Sequence, residues 1–157
     1  MGMGRKILLC FLVITLIIIG GLTAANAINN HEINEYIDSF CKVKYANQLI
    51  PERDSEGNYY FVTDGEFKIM QLTDVHIGGG IFSREQDKKA LSAVAKTISA
   101  EKPDLVVVTG DMAFAVPWSG TVNNYRAHQM LIRLMERLGV YWTVTFGSHK
   151  VIEPTRF

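Results

Sequence analysis

The sequence predicts an α/β fold, a parallel sheet laid down as β-α-β-α-β behind an N-terminal hydrophobic helix. Three observations carry that prediction. Short apolar runs at residues 67–72, 105–108 and 141–146 are separated by segments with helical periodicity. Each run ends in a polar cluster: Thr73-Asp74-Val75-His76, then Thr109-Gly110-Asp111, then Gly147-Ser148-His149-Lys150. Ahead of them all, residues 7–27 carry no charge. In an open parallel sheet the carboxyl ends of the strands face one crevice, where ligands bind, so this topology gathers the three clusters on a single edge.

The N-terminal segment follows Arg5-Lys6, and its apolar part at 7–19 has the length of a signal-peptide core, with Ala25-Asn26-Ala27 in the small-x-small form of a cleavage site. Counted on to Ala25, it is also just long enough to span a bilayer. Residues 1–28 therefore read as a cleaved signal or a retained anchor. In either case the basic pair stays cytoplasmic and everything after Asn29 is exported. Residues 29–58 read as a juxtamembrane helix and linker. Ile33, Tyr36, Ile37 and Phe40 give helical spacing within 30–49, His31 is expected at the surface, and 51–58 is polar and turn-rich.

The folded part is expected to occupy 59–157. A strand at 59–63 should turn at Asp64-Gly65 into the strand at 67–72, because Asp-Gly suits a two-residue hairpin. Gly78-Gly79-Gly80 reads as a flexible loop. Leu91, Val94, Ala95 and Ile98 mark a helix over 86–100 that Pro103 ends. The unbroken aliphatic run Leu105–Val108 suits a strand covered on both faces. Ala127, Met130, Leu131, Leu134 and Leu138 mark a second amphipathic helix. The loop 114–124, with Trp118 and Tyr125 beyond it, can line the crevice, although packing on that helix is the expected role of its aromatics.

Composition narrows the function. The chain has 157 residues, 48% of them hydrophobic, and a formal net charge of +0, enough for one globular domain. Lysines and arginines are scattered, leaving no electrostatic footprint for nucleic acid. Cys10 lies in the apolar segment and Cys41 outside it, so no disulfide framework is implied, and Cys41 is expected as a small buried hydrophobe. Gly78-Gly79-Gly80 lacks the spacing of a dinucleotide loop and no Walker lysine follows, which disfavours a nucleotide-binding domain.

The order Asp-x-His, Gly-Asp, Gly-x-His resembles the calcineurin-like metallophosphoesterases, whose opening motifs are Asp-x-His, Gly-Asp and Gly-Asn-His-Asp. The resemblance implies the first part of a four-layer αββα sandwich and hydrolysis of phosphomonoesters or phosphodiesters by metal-activated water. It also implies a dinuclear site of Fe, Mn or Zn, in which Asp74 and His76 hold the first ion, Asp111 bridges, and His149 serves as the catalytic proton donor. Oxygen and imidazole donors without thiolate suit those ions. Val75 should point back to the core while its neighbours face the ion, and Gly110 lets the backbone approach closely.

The third motif departs from the pattern. Ser148 stands for the Asn that holds the second ion, and Lys150 for the Asp that orients the histidine. A cation beside His149 disfavours its protonated form and weakens it as an acid. The histidines are His31, His76, His128 and His149; His128 lies on the second helix, where a solvated or packing role is expected, and none occurs after residue 149. The second ion thus lacks most of its ligands, and the chain reads as an incomplete, weakly active or inactive fragment whose family match breaks after Phe146. A bare sheet face and a hydrophobic edge strand would accompany such a truncation. A pseudoenzyme that keeps the scaffold as a binding module is the alternative.

Overall fold

The structure, a computed structural model, describes residues 2–145. Three parallel strands form its centre: β3 (Ile69–Leu72), β4 (Leu105–Val108) and β5 (Trp142–Val144), in the order β3-β4-β5. The register stacks Met70, Val106 and Trp142 in one row and Leu72, Val108 and Val144 in the next. Val106 and Val108 are fully buried and the other four pack against the same core. The opposite face carries Ile69, Gln71 and Thr143, all exposed, and the half-buried Leu105 and Val107. Among the described residues, then, β4 is covered on one face rather than on both. Its alternation is that of a half-covered strand despite a sequence without alternation.

Two helices supply the cover, each as a crossover between adjacent parallel strands. α2 (Arg84–Glu101) buries Leu91, Val94, Ala95 and Ile98, the stripe its periodicity predicts. It ends at Lys102, whose left-handed conformation lets its N–H donate to the Ile98 carbonyl at 2.8 Å, with Pro103 next. α3 (Asn124–Leu138) buries Ala127, Met130, Leu131, Leu134, Met135 and Leu138, and starts from Asn123, whose side chain accepts the Arg126 N–H.

The third cover was not foreseen. The N-terminal apolar segment and the amphipathic segment after it form one unbroken helix, α1 (Met3–Asp38), which packs on α2 and α3. The helix expected over 30–49 is its last part and stops at Asp38. Ile33 and Ile37 are fully buried in the common core. Polar clamps fix the seam: Arg133 forks onto Asp38 at 3.1 and 2.6 Å, and Arg84 donates to Asn29 and pairs with Glu32, both at 2.6 Å. His31 is exposed beside Glu35, as expected. Cys41 is exposed, because the chain has left the helix and its neighbours Phe40, Val43 and Tyr45 are the residues of that stretch that reach the core.

The hairpin also differs from expectation. β1 (Glu52–Arg53) and β2 (Tyr59–Tyr60) pair antiparallel, so the segment read as a linker makes the hairpin and Asp64-Gly65 does not. The Asp54 carboxylate accepts from the backbone N–H groups of Glu56 and Asn58, a local bond that closes the 54–58 turn without needing the Asp-Gly pair.

Candidate metal centre

Strand direction puts the first two clusters side by side. β3 and β4 are parallel and in register, so they end together, and the chain keeps pairing past both ends. Thr109 N–H donates to the Leu72 carbonyl at 2.8 Å, His76 N–H to that of Asp111 at 3.1 Å, Ile77 N–H to that of Met112 at 2.9 Å, and Phe114 N–H to that of Ile77 at 2.9 Å. Ile77 and Ala113 form a parallel bridge and are both buried. The two loops are thus one body, anchored by apolar side chains on the core side.

On the outer side, Asp74, His76 and Asp111 each offer a ligand atom within 4.8 Å of the others. Asp74 Oδ1 lies 3.8 Å from His76 Nε2, and Thr73 Oγ1 donates to Asp74 Oδ2 at 2.7 Å. Val75, between them, packs against the core, as the Asp-x-His spacing requires. The His76 ring lies 5.4 Å from that of Phe114, centroid to centroid.

The backbone at these positions is unusual. Among the described residues, positive φ outside glycine occurs at Asp74 (54°), His76 (51°), Lys102 (48°) and Asp111 (44°). Lys102 is the helix cap already described; the other three are the candidate ligands. Left-handed backbone is rare away from glycine and costs about 1–3 kcal/mol per residue, a cost that concentrates at functional sites. Gly110, at φ 109°, lets the chain turn sharply enough to present Asp111.

A second layer holds this rim in place. Asp87, in the first turn of α2, is almost fully buried and accepts from Gly78 N–H at 2.8 Å, Gly79 N–H at 2.9 Å and Ser83 Oγ at 2.8 Å. Burial pushes its carboxyl above the ordinary range, and the three donors oppose that shift. With Gly80 N–H donating to Ser83 Oγ at 3.1 Å, Gly78-Gly79-Gly80 is a buried turn whose three amides are all bonded rather than a flexible loop. A Cβ on Gly80 would run into the Ser119 carbonyl, which explains the glycine. Asp87 could have been found by asking what satisfies three consecutive glycine amides; read alone, it is an acidic residue in a helical first turn. Trp118 and Tyr125 are exposed, so the packing on the second helix expected of these aromatics does not bury them. His128 is half-buried on α3. His149, Ser148 and Lys150 lie outside the described residues.

The donor set fits a divalent ion on this structure's own terms: two carboxylates and an imidazole converge, no thiolate takes part, and apart from the helix-capping Lys102 the left-handed non-glycine backbone among the described residues falls on these three.

Comparison with known proteins gives the same direction. A family model described as calcineurin-like phosphoesterase matches residues 67–155, so the match runs past Phe146, where the motif reading has it break. The chain is 31% identical over 100 residues to "Probable inactive purple acid phosphatase 14" of Arabidopsis thaliana, covering 57% of this chain and 24% of that protein. It is 34% identical over 76 residues to "Probable inactive purple acid phosphatase 29" of the same plant, covering 41% and 20%. To "Uncharacterized metallophosphoesterase YkuE" of Bacillus subtilis (strain 168) it is 33% identical over 85 residues, covering 53% and 26%. The chain thus spans between a fifth and about a quarter of the length of these relatives. No solved structure matches.

Proposed function

Because the chain belongs to the calcineurin-like phosphoesterase family, we propose that it is the metal-binding N-terminal portion of a phosphoesterase that hydrolyses phosphomonoesters or phosphodiesters. Asp74 and His76 would hold one divalent ion and Asp111 would share it with a second, with Fe, Mn or Zn suited to these donors. Such ions, when bound, make water nucleophilic near neutral pH and neutralise charge on a phosphate ester. The chain's own contribution is positional. Thr73 orients the Asp74 carboxylate, the paired loops hold the three ligand residues together, and the Asp87-bonded glycine turn fixes the chain leaving His76. His149 is assigned the role of proton donor to the leaving oxygen.

The single observation that carries this reading is the convergence of three ligand residues, each in left-handed backbone, at the paired ends of β3 and β4. The test is a titration of the full chain in detergent with Mn, followed by electron paramagnetic resonance. Binding that Asp74→Ala and Asp111→Ala abolish is expected; a parent chain that leaves all Mn free would end the proposal.

A second reading, a binding module without turnover, is favoured by Ser148 and Lys150 and by relatives whose own names call them probable inactive. The discriminating assay uses p-nitrophenyl phosphate and its bis-ester with Mn. Turnover that appears or rises in the Ser148→Asn, Lys150→Asp double variant supports the enzyme, and a metal-loaded but inert double variant supports the module.

The N-terminal segment fits a retained membrane anchor better than a cleaved signal. α1 is long and apolar enough to cross a membrane, and its most apolar stretch has no buried residue. The cleavage-like Ala25-Asn26-Ala27 is helical, and Asn26 is buried with both ends of its amide bonded, Oδ1 by Ile81 N–H at 2.9 Å and Nδ2 to the Gly120 carbonyl at 2.7 Å. A residue whose side chain staples the helix to the domain in this way has a structural use that a cleaved segment would lack.

A further inference from the structure

We propose that the domain lies directly on the bilayer, with Phe82, Trp118 and Val122 seated in the lipid headgroup and upper acyl region around the point where α1 leaves the membrane. The inference rests on the retained-anchor reading above. It starts from helix geometry: residues 7–27 rise about 1.5 Å each and so cross about 30 Å, the thickness of the hydrocarbon core. Asn26 then stands at the outer boundary of that core.

Asn26 is also where the domain is stapled to the helix. Its amide bonds Ile81 and Gly120, and Arg126 reaches its carbonyl at 3.4 Å. The two short 3-10 turns, Ile81–Ser83 and Pro117–Ser119, therefore sit level with the membrane boundary. They touch each other, since a Cβ on Gly120 would meet Ile81 and Phe82 at 3.1 Å. At just this level the domain exposes large apolar side chains: Phe82 at 67%, Trp118 at 73% and Val122 at 69%. Further from this level α2 and α3 bury their large apolar stripes, and other exposed apolar residues of the domain, such as Tyr59, Val62 and Ile69, belong to the hairpin region and the open face of the sheet.

The occupant follows from continuity. These side chains extend the lipid-facing surface of α1, where Ile7 to Ile19 are exposed on every side, and Trp118 is the residue type that gathers at membrane–water boundaries. Tyr125, also exposed, comes one residue before Arg126 and fits the same belt. A water-facing patch of this kind would be a liability in a soluble domain.

The experiment uses the full chain in vesicles of phosphatidylcholine and phosphatidylglycerol, with acyl chains plain or brominated near the headgroup. Flotation reads the anchor, and tryptophan fluorescence reads the seating, with Trp118→Phe identifying the Trp118 component beside Trp142. The expected result is a floating protein whose Trp118 emission is blue-shifted and largely quenched by the brominated lipid, a component missing in Trp118→Phe. Flotation with unquenched, water-like Trp118 emission overturns the seating and leaves the anchor standing. Trp118 emission that is blue-shifted but unquenched means another polypeptide covers it, which also overturns the proposal. A chain that fails to float removes the anchor and the seating together.

Discussion

The rim formed by the ends of β3 and β4 and the helical layer behind the sheet are built on opposite terms. In the layer, Ile33, Ile37, Leu131 and Leu134 are fully or almost fully buried in ordinary helical backbone. At the rim, Asp74 and His76 are exposed, Asp111 is half-buried, and all three occupy backbone that L-residues avoid. The difference teaches where the stability resides. The layer supplies it and the rim consumes some of it, so damage to one should be separable from damage to the other.

Four measurements press on that separation. Ile37→Ala removes a fully buried side chain from the α1 seam and should cost about 3 kcal/mol in denaturant unfolding, with metal binding per folded molecule unchanged. Asp87→Ala, at the border, leaves the Gly78 and Gly79 amides without acceptors and should cost about 2 kcal/mol and weaken Mn binding as well. Were it to leave Mn affinity intact, the rim would not depend on that turn. Asp111→Gly should reverse the pattern. It relieves a left-handed residue and adds roughly 0.5–1 kcal/mol of stability, while Mn affinity falls at least tenfold, the lower end of what even outer-shell losses cost. A destabilised Asp111→Gly would show that any strain relieved at φ 44° is smaller than what the Asp111 side chain and the lower chain entropy contribute.

The smallest effect concerns charge. The Arg133 hydrogen bond, with help from the charges of Arg133 and Arg137 and against some burial, holds the Asp38 carboxyl below its ordinary value. A lowered folded-state value contributes stability above the unfolded value, lost as pH falls through the folded one. Asp38→Asn should therefore melt slightly below the parent at pH 7. The gap should close as pH drops below about 4, the ordinary aspartate range.

Much of this arrangement could be read from the chain because the signals are local. The four residues of β4 and the buried stripes of α2 and α3 follow from runs and periodicities within a few residues of one another. The three metal candidates followed because parallel strands must end on one edge. What escaped needed contacts across the chain. The helix over 30–38 looked like a connector because its apolar stripe has no visible partner until α3 is beside it. Gly78-Gly79-Gly80 looked loose because Asp87, which bonds two of its amides, lies on the next helix. Asn26 looked like part of a cleavage motif because its partners, Ile81 and Gly120, are far along the sequence. The Asp64-Gly65 hairpin failed for a related reason: a strong local turn signal lost to the Asp54 carboxylate, whose bonds close a different turn.

The pairing of His76 N–H with the Asp111 carbonyl, continued by Ile77 and Met112, gives the metal candidates a fixed bite. Peptide bonds, not side-chain reach, set the spacing between the Asp-x-His jaw and the Gly-Asp jaw. Neither jaw can open without breaking the ladder behind it. An ion of the wrong radius would have to be accommodated by carboxylate and imidazole rotamers alone, so discrimination among cations would be inherited from the main chain.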